Sequence, residues 1–223
     1  WLSEQQIKRS FFNEISPAIT ALQNEFDIEQ YGELNYQQVC GKTYPLYAVK
    51  SRNWQSDKPT ILVSGGVHGY ETSGVHGALR FLQTQAKAYS NKVNVLVLPC
   101  ISPWGYETIN RWNPKAVDPN RSFGTESQSD EATLAMAFVR QHSGEVLVHI
   151  DLHETTDSDN SEFRPAKAAR DGTVNHNWNI PDGFYLVGDT AKPQPEFQRV
   201  MIEAVSKITH VAEADDTGCL IGE

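Results

Sequence analysis

Two residues with metal-binding side chains, His68 and Glu71, lie three apart in the glycine-rich segment SGGVHGYETSG, 64 to 74. A third candidate, His153, ends the aliphatic run EVLVHIDLH, 145 to 153. Catalytic zinc takes three protein ligands from His, Glu, Asp or Cys and leaves one position for water. A closely spaced pair with a distant third residue fits this requirement. We therefore predict that these three side chains bind one zinc ion.

Three further polar residues, Arg111, Asn120 and Arg121, lie between the first pair and the distant histidine. Arg121 can bind a carboxylate through two parallel hydrogen bonds, and Asn120 can add an amide donor. Arg111 can stabilise a developing oxyanion. Each feature also has an ordinary interpretation, because His and Glu three apart are common on solvated helices and loop arginines are usually exposed. The functional interpretation requires that the candidate metal ligands and these three side chains lie close together in the folded protein.

The strand that ends at His153 carries two more polar residues, His149 and Asp151, on the same predicted face. Asp151 is a candidate to orient a ligand histidine through a hydrogen bond. For His149 we favour a core histidine with satisfied hydrogen bonds over a ligand. His76, one helical turn beyond Glu71, is predicted to be structural or exposed.

Hydrophobic patterning predicts alternating strands and helices, which is typical of a mixed, largely parallel β-sheet flanked by helices on both faces. Ligands bind outside the carboxyl ends of strands in such α/β sheets, so the candidate residues would meet on one rim. One domain over 1–223 is expected from the length. The predicted helices are 3–26 with a bend or break at Pro17, 71–86, 130–142 and 196–208; the predicted strands are 34–40, 44–51, 60–67, 93–100, 145–153 and 184–189; 101–128 is predicted as a long loop and 154–182 as irregular.

The composition limits the classes of partner. The formal net charge is −9 and no run of Lys or Arg stands out, which argues against nucleic acid and anionic membranes. No apolar run is long enough to cross a bilayer. The three cysteines, Cys40, Cys100 and Cys219, are widely spaced and favour a reducing compartment. We expect a cytoplasmic protein.

An ordered set of motifs resembles the zinc carboxypeptidases of the carboxypeptidase A type, with their succinylglutamate desuccinylase and aspartoacylase relatives. The motifs are HGYE (68 to 71), RWNPKAVDPNR (111 to 121) and DLH (151 to 153), and the resemblance covers residues 60 to 154. It implies zinc ligation by His68, Glu71 and His153, a substrate carboxylate bound by Asn120 and Arg121, and a scissile carbonyl polarised by Arg111. The implied fold is an α/β sandwich, in agreement with the patterning.

The resemblance implies a zinc hydrolase that cleaves an amide bond near a free carboxylate of a small peptide or acyl-amino acid. The DLH form is closer to the desuccinylase and aspartoacylase branch, so an N-acyl-amino-acid deacylase is an open alternative. A non-catalytic domain that binds metal or carboxylate is another. An assay of peptides and acyl-amino acids side by side would separate the peptidase from the deacylase.

The general base of this family is a glutamate late in the chain, and this sequence offers poor matches. Glu213 and Glu223 do not lie in a convincing strand followed by more domain. Glu154 follows His153 directly, and successive residues on a strand point to opposite faces. We therefore predict that the base lies beyond residue 223, in a natural chain that extends past both ends of this sequence. The missing base is what keeps the non-catalytic alternative open.

Overall fold

A computed structural model describes residues 9–142, 144, 146–176 and 178–214. The chain divides into two compact units, Trp1–Glu154 and Thr155–Glu223. Organisation as one domain over the whole chain stays a prediction. Within the described ranges, every helix is too short or too polar to traverse a lipid bilayer. Cys40 and Cys100 carry free thiols, whereas Cys219 lies outside the described residues.

The first unit is built on a five-stranded mixed sheet. Its strands are β1 (Phe26–Tyr36), β2 (Lys42–Ser51), β3 (Thr60–Gly65), β4 (Asn94–Leu98) and β5 (Val146–Leu152), in the spatial order β1-β2-β4-β3-β5. The β3 strand pairs in parallel with β4 on one side and with β5 on the other. The β2 strand is antiparallel to both β1 and β4. The carboxyl ends of β4, β3 and β5 therefore lie along one edge of the sheet.

The helices of this unit are α1 (Ser16–Thr20), α2 (Gln37–Cys40), α3 (Thr72–Thr84), α4 (Ala86–Tyr89), α5 (Pro103–Thr108) and α6 (Asp130–His142). A π-helical turn at Phe11–Ile15 and 3-10 turns at Ala21–Asn24 and Pro119–Arg121 complete it. The alternating residues of a strand face opposite sides. Val63, Val95 and Val97 belong to the cluster that contains residues of α3, and Leu62, Leu96 and Leu98 belong to the cluster that contains residues of α6. Helices thus cover both faces of the sheet, as predicted.

The second unit contains a π-helical turn at Asp159–Phe163, α7 (Arg164–Asp171) and α8 (Pro195–Val205). The prediction of an irregular segment over 154–182 was therefore wrong. Pro165 in the first turn of α7 and Gly172, with φ of 64° after its last residue, are ordinary start and stop signals. The strand predicted over 184–189 is also wrong, because this segment forms only a single bridge between Phe184 and Val211.

The N-terminal part of the first unit differs from the prediction in two places. The helical segment ends before β1, which begins at Phe26 and replaces the strand predicted over 34–40. Residues 37–40 form α2 instead, because the side chain of Asn35 accepts a hydrogen bond from the Gln37 amide and Gly41, with φ of 69°, ends the turn. Residues 3–8 of the predicted first helix lie outside the described residues. The strands that precede His68 and His153, and the helix that follows Glu71, agree with the prediction to within a few residues. The long loop predicted over 101–128 is only partly correct, because it contains α5 and the 3-10 turn at Pro119–Arg121.

Candidate metal centre

The edge formed by the carboxyl ends of β3 and β5 carries the candidate ligands. His68 and Glu71 lie in the turn between β3 and α3, and His153 directly follows β5. The loop after β4, which holds Arg111, reaches the same edge, because its Asp118 contacts His68. The structure therefore brings together side chains that are 82 residues apart in sequence, His153 and Glu71.

Two glycines allow the turn between β3 and α3 to pack closely against its neighbours. A Cβ atom on Gly69 would lie 2.1 Å from the carbonyl oxygen of Ser102 and 2.2 Å from the amide nitrogen of Tyr106. A Cβ atom on Gly74, in the first turn of α3, would lie 2.3 Å from the carbonyl oxygen of Leu152. Any other residue at these positions would displace backbone, so Gly69 sets the distance between the turn and α5, and Gly74 sets the distance between the first turn of α3 and the end of β5.

The carboxylate of Glu71 lies between the two histidines. Its Oε1 is 2.8 Å from Nδ1 of His68, and its Oε2 is 2.8 Å from Nδ1 of His153. One potential ligand atom from each of the three residues lies within 4.8 Å of the other two. His68 and Glu71 are buried, whereas 31% of the His153 side chain is accessible. The cluster is therefore open to solvent on the His153 side.

A separate carboxylate holds the other nitrogen of each imidazole. Nε2 of His68 is 2.8 Å from Oδ1 of Asp118, and Nε2 of His153 is 2.7 Å from Oδ2 of Asp151. An ionised carboxylate only accepts hydrogen bonds, so each Nε2 carries a proton. Both Nδ1 atoms are left to face the centre of the cluster. Carboxylate and histidine pairs of this kind orient metal ligands in proteins.

The electrostatics of the cluster favour positive charge at its centre. Burial alone raises the pKa of Glu71, but hydrogen bonds from His153 and His68 lower it to about 2. Burial lowers the pKa of His153, but hydrogen bonds to Asp151 and Glu71 raise it to about 10. Asp118 and Asp151 also have lowered pKa values, despite burial, because the histidines donate hydrogen bonds to them. A divalent cation would take the place of the protons on the Nδ1 atoms.

Two imidazole nitrogens and one carboxylate oxygen within 4.8 Å of one another, with access on the His153 side, fit a catalytic zinc ion. Oxygen-only ligand sets suit calcium and magnesium, whereas imidazole ligands suit zinc and the later transition metals. The donor set is thus compatible with the one zinc ion expected from the sequence.

The loop between α5 and α6 folds back onto the cluster through Asp118, which sequence reasoning missed. Oδ2 of Asp118 accepts a hydrogen bond from Nε of Arg111 at 3.3 Å, and Oδ1 accepts one from the backbone amide of Asn120 at 3.0 Å. The exposed Arg121 is close enough for its charge to lower the pKa of Asp118. An Asp followed by Pro, as at Asp118 and Pro119, commonly starts a turn. This pair was the one feature of the sequence that could have drawn attention to Asp118.

A buried carboxylate on α6, Glu131, anchors the same loop. Its Oε2 accepts hydrogen bonds from Nδ2 of Asn113 at 3.1 Å and from the Ser129 hydroxyl at 2.5 Å. Its Oε1 accepts one from the Tyr36 hydroxyl of β1 at 2.5 Å. Glu131 is 1% exposed, so each of these bonds is formed out of contact with water. The segment with Arg111 and Asp118 is thereby tied to the body of the first unit.

The remaining candidates lie outside the ligand cluster. His149 is hydrogen bonded, with Nε2 2.8 Å from the Ser64 hydroxyl, but it is exposed on β5 and is not the core histidine that was favoured. His76 is exposed, as predicted, with Nε2 3.5 Å from the Tyr106 hydroxyl. The carboxylate of Glu154 accepts a hydrogen bond from the amide of Ser73.

The two late glutamates named in the sequence as poor matches for the general base are Glu213 and Glu223. Glu213 lies in an irregular segment of the second unit, and Glu223 lies outside the described residues. The location of the general base therefore stays a prediction.

Comparison with known proteins connects this geometry to a family. The model of the succinylglutamate desuccinylase/aspartoacylase catalytic domain matches residues 57–177, which include all six predicted site residues. Carboxypeptidase 2 of Trichophyton equinum is 27% identical over 139 residues, which cover 56% of this chain and 25% of the fungal protein. This chain therefore spans about a quarter of the length of the curated relatives it matches.

Solved structures share the fold. A candidate metallopeptidase from Shewanella denitrificans OS217 superposes with a TM-score of 0.65 at 19% identity, over 92% of this chain and 67% of that chain. A metallo-carboxypeptidase from Burkholderia cenocepacia superposes with a TM-score of 0.52 at 14% identity, over 64% of this chain and 40% of that chain. At these identities the likeness concerns the fold alone.

Proposed function

Because the chain belongs to the succinylglutamate desuccinylase/aspartoacylase catalytic-domain family, within the zinc carboxypeptidase superfamily, we propose that it is a zinc-dependent hydrolase. Its reaction is the cleavage of an amide bond next to a free carboxylate, as in metallocarboxypeptidases. The observation that carries the proposal is the position of the Glu71 carboxylate between the Nδ1 atoms of His68 and His153. Small peptides and acyl-amino acids are the proposed substrates.

His68, Glu71 and His153 are the proposed zinc ligands. When bound, zinc polarises a carbonyl and lowers the pKa of a water molecule to about 7, which is the chemistry that amide hydrolysis requires. Asp118 and Asp151 keep the protons on the Nε2 atoms of the two histidines, so the Nδ1 atoms remain directed at the ligand cluster.

Arg111 is the proposed residue that stabilises negative charge on the carbonyl oxygen of the substrate. Its guanidinium is held by Asp118, and 21% of its side chain is accessible. Burial alone lowers the pKa of Arg111, but the carboxylate of Asp118 raises it, so the side chain keeps its charge. A charge held in place before the reaction stabilises an oxyanion without reorganisation.

Arg121 and Asn120 are proposed to bind the carboxylate of the substrate. In the described part of the chain, the guanidinium of Arg121 forms no hydrogen bond or ion pair and is exposed. Asn120 is held by its backbone amide to Asp118, which leaves its side-chain amide available. A planar guanidinium can form two parallel hydrogen bonds with a carboxylate.

A second candidate function is an N-acyl-amino-acid deacylase, which the family match over 57–177 favours. Both reactions hydrolyse an amide beside a carboxylate, so the same residues serve both. We also propose a cytoplasmic location, supported by three cysteines whose wide spacing does not form a paired motif.

The proposed function is tested by a hydrolysis screen of the zinc-loaded full-length protein, which includes the segment predicted to carry the general base. Peptides with a free C-terminus, the same peptides amidated at the C-terminus, and N-acyl-amino acids are assayed with and without a chelator. Hydrolysis that requires both zinc and a free carboxylate is expected, and the preferred series separates peptidase from deacylase. Zinc binding without hydrolysis of any series would identify a binding domain instead.

The metal assignment is tested in parallel by metal analysis of purified variants. His68→Ala and His153→Ala are each expected to reduce zinc from about one equivalent per chain to a small fraction, because three protein ligands are needed. His76→Ala is the matched control, since this exposed histidine on α3 makes no contact with the cluster and should retain zinc. Unchanged zinc in both ligand variants would contradict the assignment.

A further inference from the structure

Ser64 and His149 extend the hydrogen-bond network of Asp151 and His153 away from the metal centre. Ser64 is the register partner of Asp151 between β3 and β5. Its hydroxyl oxygen lies 2.6 Å from Oδ1 of Asp151 and 2.8 Å from Nε2 of His149. The two residues are separated from Ser64 by 87 and 85 positions in the chain, so the contact depends on strand pairing.

The direction of these hydrogen bonds follows from the donors available. A serine hydroxyl has one proton, and the ionised Asp151 can only accept, so Ser64 donates to Oδ1. Nε2 of His149 must then donate to the serine oxygen. The other oxygen of Asp151 accepts from Nε2 of His153. A directed chain therefore runs from His149 through Ser64 to Asp151, with His153 on the far side.

Ser64 provides the only hydrogen bond to Oδ1 of Asp151 among the described residues. Without it, the carboxylate could rotate about its terminal bond and release His153, because that torsion is broad. Ser64 and His149 also line a cavity of about 230 Å³ on the side of the sheet that faces α6, together with Leu62, Ala135 and Val139. The pair thus lies between this cavity and the metal centre.

We propose that Ser64 and His149 are positioning residues that fix the orientation of Asp151 and thereby present Nδ1 of His153 to the metal ion. The inference rests on the proposed metal centre. Another buried serine of the sheet shows the contrast. Ser51 on β2 is also buried, but among the residues that the structure describes its hydroxyl accepts only from the Val95 amide, at 3.2 Å, and forms no hydrogen bond that leads to a proposed ligand histidine.

The first experiment measures zinc affinity by competition with a chromophoric chelator. Removing a group that is hydrogen bonded to a metal ligand typically weakens metal binding by about 10- to 100-fold. Ser64 acts through Asp151, so Ser64→Ala is expected to weaken zinc binding by about tenfold, the lower end of that range. Ser64→Thr keeps the hydroxyl, and its added methyl group can enter the cavity, so wild-type affinity is expected. Ser51→Ala is the matched control and should also bind like the wild type.

The second experiment reads the imidazole of His153 directly. In zinc-loaded protein, the Nε2 proton of His153 is expected as a slowly exchanging downfield resonance in the NMR spectrum, because Asp151 accepts it. In His149→Phe, which removes the donor to Ser64 from an exposed position of β5, this proton should exchange faster and zinc affinity should fall. This variant decides the question alone if Ser64→Ala does not fold.

The outcomes separate this inference from the proposed function. If wild-type protein binds zinc and folded Ser64→Ala or His149→Phe binds it equally well, the positioning role is overturned and the metal centre stands. If the wild type does not bind zinc, both are overturned. Weaker binding in Ser64→Ala with full binding in Ser64→Thr and Ser51→Ala supports the positioning role, because a general loss of packing would not follow that order.

Discussion

Gly74 packs against the backbone of Leu152 so closely that a Cβ atom on Gly74 would lie 2.3 Å from the Leu152 carbonyl oxygen. Gly74 lies in the first turn of α3, three residues after Glu71, and Leu152 is the last residue of β5, directly before His153. The contact therefore sets the separation between one proposed ligand and another, although neither residue has a side chain that could bind metal.

The first prediction concerns this contact. Gly74→Ala should move the start of α3 away from β5, so zinc affinity is expected to fall by at least about tenfold, as for other disturbed supports of metal ligands. Gly77→Ala on the same helix is the matched control, because its Cβ would meet only a Leu152 side-chain carbon at 3.4 Å. Zinc titration of both variants checks the prediction, and equal affinities would contradict it.

The second prediction concerns binding of the substrate carboxylate. Arg121→Ala should raise KM for carboxylate-bearing substrates roughly tenfold or more and change kcat little, because a hydrogen bond to a charged group contributes about 1.5 to 3 kcal/mol. Arg80→Ala, an exposed arginine on α3, is the control. Steady-state kinetics with the best substrate of the hydrolysis screen give both constants. A fall in kcat alone would assign Arg121 to a different role.

The third prediction concerns the anchor of the loop that carries Arg111. Glu131→Gln places an amide donor where the carboxylate accepts from Tyr36, Asn113 and Ser129. The free energy of unfolding should fall by about 1 to 3 kcal/mol, the cost of leaving a buried polar group without a partner. Denaturant unfolding measures the change. Glu126→Gln, on an exposed residue of the same loop, should leave the stability unaltered.

The fourth prediction concerns alkaline pH. Burial, and then a hydrogen bond to Glu107, raise the pKa of Tyr44 far above its usual value of about 10. Its contribution to stability is therefore complete below pH 10 and is lost as the pH rises towards the folded-state pKa, by up to about 1.4 kcal/mol for each pH unit. The difference in unfolding free energy between wild type and Tyr44→Phe should shrink above pH 10. If the unfolding free energies of the two proteins instead changed in parallel above pH 10, Tyr44 would ionise as readily in the folded protein as in the unfolded chain, and the prediction would be wrong.

The sequence predicted that the three proposed ligands lie close together because their signal is local. His68, Glu71 and His153 each follow an aliphatic strand, and parallel strands bring such positions to one edge. Asp118 and Ser64 could not be found this way, because their roles depend on side-chain contacts across 50 and 87 residues. The same limit applies to Glu131, whose partners lie on β1 and in the loop.

The errors in the fold have local physical causes. The segment 34–40 contains residues that suit a strand, but the Asn35 side chain and the left-handed Gly41 turn its end into α2. The segment 154–182 lacks hydrophobic periodicity, yet Pro165 and Gly172 bound a polar helix that buries no residue. Patterning identifies elements that bury an apolar face, and it is weak for elements that do not.

The position of β5 gives the proposed metal centre a particular kinetic character. Within the described ranges β5 pairs with β3 alone, so it is the outermost strand of the first unit and supplies only His153 to the cluster. Edge elements open transiently at a lower free energy than the whole domain. Local opening of this strand would detach His153 from the ion while His68 and Glu71 remained bound. The dissociation rate of the ion should therefore follow the rate of local opening of β5 and not the rate of global unfolding.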